Sequence, residues 1–200
     1  RKKRRKNDFF GRYNNGGIFM DNKKRCSWVN MQNELYVEYH DKEWGVACYD
    51  DKELFELLIL ESFQAGLSWE CILNKRKDFE VEFDNFDIDK IVLYDSEKIE
   101  NSLKNTGIIR NRLKINAMIN NAKVFKKIQN EYDSFSNYIW SFTNNKTIIE
   151  TGKTKSDLSD LVSNDLKKRG MKFVGSTIIY SYLQAIGVIY SHDDGCYLNR

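Results

Sequence analysis

The stretch LFELLILESFQAGLSWECIL, Leu54–Leu73, decides how this chain reads. At 100° per residue, Leu54, Leu57, Leu58 and Ala65 share one arc of a helix, and Glu61 stands in the middle of that arc. Lys52, Glu53 and Glu56 fall on other faces, so the helix has better places for charge. A carboxylate facing an apolar interior is costly unless something pairs with it. Gln64, Gly66 and Trp69 follow: an amide, a hinge and an aromatic plate. Two readings stand. One is a pocket with a buried acceptor and a stacking wall. The other is a glutamate that reaches an arginine, a helix end or solvent.

The rest of the chain frames this segment. Two hundred residues suffice for one sizeable domain or two small lobes on a shared core. Hydrophobic residues make up 41% and charged residues 30%, a globular rather than a disordered balance. The net charge is only +3, so any basic surface must be local. No apolar run reaches membrane-spanning length, and no secretory signal is visible, so an intracellular protein without a membrane partner is expected. The chain opens on Arg1 rather than Met, as a segment of something longer would. Four cysteines without a signal argue for thiols or metal ligands over a disulfide framework. There is no proline at all.

Residues 1–24 are basic and poor in periodic apolar positions, and read as a flexible arm. Its opening Arg1–Lys6 run reads as a nuclear address, a nucleic-acid patch or a solvated tail. The nucleus is expected for a eukaryotic host, the cytoplasm otherwise. From Cys26 onward the pattern predicts helix almost throughout. Short helices are expected around Tyr36–His40, over Trp69–Asn74, Arg76–Phe83, Ile88–Leu93, and Ser96–Asn105 with Ser96 as cap. Longer ones are expected over Asp51–Ala65, Asn111–Ile128, Ser134–Phe142, Ser156–Arg169 and Gly175–Ile189. On the Asn111–Ile128 segment, Leu113, Ala117, Asn120, Val124 and Ile128 fall on one face. Thr147–Ile149 is a short strand or a loop. No strand alternation appears, so an all-α domain is predicted.

Three constellations bear on chemistry. Cys26 and His40 lie at one end of the ordered part, and His192 and Cys196 close the other as His-x-x-x-Cys. The chain has two histidines and both are in this set. Zinc favours four thiolate or imidazole ligands in a closed tetrahedron, and such a site would tie the two ends together. The alternative is two surface histidines and unremarkable thiols. Cys48 and Cys71 have no histidine nearby and read as ordinary core cysteines.

Lys167-Lys168-Arg169-Gly170-Met171-Lys172-Phe173-Val174-Gly175 joins two helices. Exposed amides at a helix start suit a phosphate, and the flanking cations add attraction. An ordinary turn with a solvated basic face fits the same residues. Arg110, Arg112 and Lys114 open another helix and read as phosphate contacts or as partners for acids. Trp28, Tyr36, Tyr39, Trp44 and Trp69 read as core or as a stacking surface around one acceptor.

Several segments resemble the bacterial-type 3-methyladenine DNA glycosylase I family. They are Arg25-Cys26-Ser27-Trp28, Tyr39-His40-Asp41-Lys42-Glu43-Trp44-Gly45, Leu60–Trp69, Gly107–Arg112, Lys167–Gly175 and His192-x-x-x-Cys196, in order from residue 25 to 197. The resemblance implies a helix-hairpin-helix glycosylase fold over residues 25–200. It implies one structural zinc on Cys26, His40, His192 and Cys196, and a base pocket with Glu61 and Trp69, Trp28, Tyr36, Tyr39 and Trp44 nearby. The implied activity is extrusion and hydrolytic release of 3-methyladenine from alkylated double-stranded DNA by a monomer. Lys168, Lys172 and Gly175 would hold the DNA, and Glu61 would be the catalytic carboxylate. No lysine nucleophile is assigned, so no strand cleavage is expected. The rival is a non-catalytic DNA-binding module of the same fold. Ser62-Phe63 replaces a more polar pair usual in the family, which is expected to reshape the pocket edge. Val46-Ala47 lacks the usual proline. Asp193 and Asp194 flank a zinc ligand and are assigned no catalysis.

Overall fold

Asp50 accepts from the backbone N–H groups of Lys52 and Glu53 and starts the central helix. The computed structural model describes residues 21–200. Its helices are α1 Glu34–Lys42, α2 Asp51–Gln64, α3 Trp69–Glu82, α4 Ile88–Ile91, α5 Ser96–Ser102, α6 Arg112–Tyr132, α7 Phe135–Ser141, α8 Asp157–Lys168 and α9 Ser176–Ala185. A two-residue parallel ladder pairs β1 Ile148–Ile149 with β2 Ile189–Tyr190. The mostly helical architecture matches the sequence reading. The last helix stops earlier than expected, because Ile186 and Gly187 end it and the apolar residues beyond pair as β2.

Helix α2 is buried on every side from Leu54 to Phe63. A helix apolar all round belongs in a core, and α2 packs on α3, α6, α7 and α9. Glu56, which falls outside the apolar arc, is buried as well and accepts from Arg76 Nε at 2.6 Å. Asp51, next to the cap, accepts from the N–H groups of Phe135 and Ser136 at 2.8 Å and so caps α7 as well.

The two short helices expected over Trp69–Phe83 form one continuous helix. Asn74 and Lys75 do not break it, since polar residues on an outer face leave the ladder intact. Asp95, not Ser96, caps α5. On α6 the expected stripe fails at its first position. Leu113 is 71% exposed and Lys114 is the buried neighbour.

Residues 1–20 of the basic arm lie outside the described residues. Residues 21–24 rest against the domain. Asp21 accepts from both terminal nitrogens of Arg25, and the Lys24 carbonyl accepts from the Tyr197 N–H at 2.7 Å. Both ends of the described chain therefore meet. Close packing also fixes the turn before β2. A side chain at Gly187, φ +74°, would stand 2.5 Å from the Val46 carbonyl carbon.

Candidate active site

A cleft of about 360 Å³ is lined by Trp28, Tyr36, Tyr39, Trp44, Glu61 and Trp69. Local structure delivers each. Tyr36, Tyr39 and His40 lie three and four residues apart on α1, so one helix face serves the cleft and a neighbouring cluster. Trp69 opens α3 beside its cap, Ser68, whose Oγ accepts from the Cys71 N–H. Glu70 accepts from the side-chain amides of Asn30 and Asn33 at 2.8 Å and ties the start of α3 to the start of α1. The rings interlock: Trp28–Trp44 centroids are 4.8 Å apart, Trp28–Tyr36 5.5 Å and Tyr39–Trp69 5.2 Å.

Glu61 places a buried carboxyl at the floor. It is 4% exposed, and its Oε2 is buried with no hydrogen-bond partner among the described residues. Burial, with no cation to offset it, pushes its carboxyl from 4.5 up to about 8. Burial also raises the phenols of Tyr36 and Tyr39, with Glu61 adding to both. The indole Nε1 of Trp69 is likewise buried and without a partner among the described residues. Native interiors rarely leave such groups unpaired, so two of them in one cleft mark a place for a polar guest.

Gly152, Lys153, Ser181, Gln184, Ser191 and Asp193 complete the lining with Gln64. Of these, the sequence singled out only Gln64 for the pocket. Gly152 and Lys153 sit in the polar stretch after β1, which carries no periodic signal. Asp193 reaches the cleft, yet its Oδ2 accepts from the Ser27 N–H at 2.6 Å and Oγ at 2.8 Å. One of its two carboxylate oxygens is thus occupied. Ser62 and Phe63 do not reshape the cleft edge as expected. Ser62 Oγ donates to the Ile59 carbonyl, and Phe63 packs edge-on against Phe79 inside the core.

Behind the aromatic wall lie Cys26, His40, His192 and Cys196, all buried. Their donor atoms lie within 4.8 Å of one another. Cys26 Sγ is 3.4 Å from His192 Nδ1, and Cys196 Sγ is 3.5 Å from His40 Nε2 and from His192 Nδ1. Two thiols and two imidazoles at these separations fit the donor set of a tetrahedral metal ion. The outer shell suits it too. Asp41 Oδ1 lies 2.8 Å from His40 Nδ1 and accepts from Arg25 Nε, which leaves Nε2 to face the cluster. The Asp193 N–H donates to Cys26 Sγ. Trp44 separates cluster from cleft, with its ring 4.8 Å from that of His192. Cys48 and Cys71 are half-buried and stand apart from the cluster.

The segment between α8 and α9 leaves the helix at Gly170, φ +99°. Phe173 takes φ +54°, a conformation that favours glycine. Gly175 starts α9 without a side-chain cap. The first amides of α9 are therefore not claimed by a capping side chain. Lys168 and Lys172 are exposed on either side of this turn. Of the other basic group, Arg112 makes a two-pronged ion pair with Glu100 at 2.6 and 2.8 Å, while Lys114 points inward.

Comparison with known proteins agrees with this geometry. The profile of the methyladenine glycosylase family matches residues 28–199. The chain is 42% identical over 179 residues to DNA-3-methyladenine glycosylase 1 of Escherichia coli K12, covering 86% of this chain and 95% of that protein. It is 39% identical over 178 residues to DNA-3-methyladenine glycosylase of Haemophilus influenzae, covering 86% and 96%. A crystal structure of 3-methyladenine DNA glycosylase I superposes with a TM-score of 0.85 at 42% identity, covering 88% of this chain and all of that one. A Staphylococcus aureus structure described as the basis of 3-methyladenine recognition superposes at 0.80 and 36% identity, covering 82% and 91%. The chain belongs to the methyladenine glycosylase family.

Proposed function

We propose that this chain releases 3-methyladenine from alkylated duplex DNA by hydrolysis, without cutting the strand. The observation that carries this reading is the unpartnered Oε2 of Glu61 on the floor of an aromatic cleft. N3-alkylation places positive charge on adenine and makes it a good leaving group. The glycosidic bond then needs little acid catalysis. The protein has to extrude the nucleotide, hold the cationic base and admit water. Burial holds the Glu61 carboxyl toward its protonated form, and it releases its proton to solvent when a cationic base takes the cleft. Its carboxylate accepts from the exocyclic amine and favours the charged base over neutral adenine. Trp69 and the opposing rings supply stacking with a cation–π component. The uncapped start of α9, with Lys168 and Lys172, supports phosphate binding without sequence preference.

The Cys26, His40, His192 and Cys196 cluster is proposed as the site of one zinc ion. All four donors come from the protein, so the ion would supply structure: a cross-link between the first and last described segments.

The deciding experiment is release of free base from N3-methylated duplex DNA by the purified protein. Glu61→Gln should fold normally and lose most of the release. Unchanged release by Glu61→Gln would refute the role of Glu61, and no release by the wild type would leave a DNA-binding module without excision.

A further inference from the structure

Lys114 has no place in the mechanism above and does not line the cleft. It is nevertheless 6% exposed, and an uncompensated buried ammonium is costly. Its Nζ donates to the Phe63 and Ala65 carbonyls at 2.7 Å each. Among the described residues no carboxylate pairs with it. The negative end of α2 takes that place. Burial pulls its pKa down.

The turn it grips is short and stands at the lip of the cleft. Helix α2 has no basic residue in its last turn. Ala65 leaves the helix at φ −47°, ψ 113°, Gly66 takes φ +82°, and the Leu67 N–H reaches back to the Gln64 carbonyl at 2.6 Å. Ser68 then caps α3. The four residues Ala65–Ser68 thus separate two residues of the lining, Gln64 and Trp69, and Glu61 lies one helical turn earlier. Other helix ends here are held differently. Helix α6 ends on Asp133 at φ +66°, and α8 ends near Gly170 with its own Lys167 and Lys168. Lys98 meets the end of α3, but it also has the Glu82 carboxylate and is 31% exposed.

We propose that Lys114 is a positioning residue for base release: its ammonium clamps the end of α2 and so sets Trp69 against Glu61 across the Ala65–Ser68 turn. The inference rests on the base-release reading. Stacking and hydrogen bonding must act on one flipped base at once, so a small shift of one wall relative to the floor is felt in the rate.

Lys114→Met keeps the stem and removes the ammonium. Single-turnover release of 3-methyladenine from N3-methylated duplex, well below the variant's melting temperature, should fall about tenfold or more. Affinity for an undamaged duplex should stay within about twofold. Lys114→Arg should recover part of the rate. The indole N–H resonance of Trp69, assigned with Trp69→Phe, should move in Lys114→Met while that of Trp140 stays. A folded Lys114→Met with a rate within about twofold of wild type overturns the proposal. So does a loss of undamaged-duplex affinity equal to the loss of rate. If Lys114→Met does not fold, Lys114→Gln, which keeps an N–H donor, decides by the same thresholds. If the wild type releases no base, the proposed function fails on its own. The Trp69 resonance then decides, its movement supporting the clamp and its constancy refuting it.

Discussion

The side-chain amide of Asn121 spans the backbone of Lys172. Its Oδ1 accepts from the Lys172 N–H and its Nδ2 donates to the Lys172 carbonyl, each at 2.8 Å. Asn121 is fully buried, and its neighbour Asn120 donates to the Gly170 carbonyl at 2.8 Å. Helix α6 therefore holds the turn between α8 and α9 by its main chain and leaves the Lys172 side chain free to face outward. Asn121→Ala would strand two backbone groups. Stability should fall by about 2–3 kcal/mol, measured by denaturant unfolding. Affinity for every duplex should weaken, while binding of free 3-methyladenine survives.

Lys172→Glu keeps that backbone arrangement and reverses one exposed charge. Binding should weaken alike for all duplex sequences, and the dependence on salt should flatten by about one phosphate contact. Affinity measured at several salt concentrations checks this. An unchanged slope would move the phosphate contact away from this turn.

The carboxyl of Glu61 is raised from 4.5 to about 8 by burial. Between these values the folded chain holds a proton that the unfolded chain has lost. Stability therefore falls as pH rises through this window and levels off above it. Glu61→Gln removes that slope. Its advantage over wild type should grow from pH 5 to 8 and reach on the order of a few kcal/mol. For excision the sign is opposite. The carboxylate is the form that favours a cationic base, so kcat/KM should rise with pH toward a plateau above about 8. Thermal melts and rate profiles over the same pH series test both signs.

Metal analysis should find one zinc per chain. Stripping it, or replacing Cys196 with Ser, should lower the melting temperature and expose the remaining thiols to a thiol reagent. Retained stability without metal would assign the cluster to packing alone.

Much of this site was legible in the sequence, and the reasons are local. Glu61 was conspicuous because a carboxylate inside an apolar arc violates the helical pattern. The cysteine and histidine set stood out because both histidines of the chain belong to it. Lys114 was read the wrong way round with Leu113, since α6 turns its cation inward for a partner 51 residues away in sequence. Carbonyl groups at a helix end leave no mark in a residue pattern. The rim at Gly152 and Lys153 was invisible for a related reason: it is placed by the ladder between β1 and β2, which pairs residues 41 positions apart through main-chain atoms. Burial of Glu56 depended on Arg76 arriving from α3, again a tertiary event.

The ring of Trp44, set between Trp28 on one side and His192 on the other, has a consequence for where the chain can be cut. The segment Cys196–Arg200 supplies no residue to the cleft lining. Yet Cys196 fastens His40 and His192, and His192 is the surface on which Trp44 leans. A chain ending at Gly195 would keep every residue of the cleft lining and lose the backing of its wall. The aromatic wall is thus held from a residue outside the cleft, and deleting residues 196–200 should register first as lost affinity for the free base.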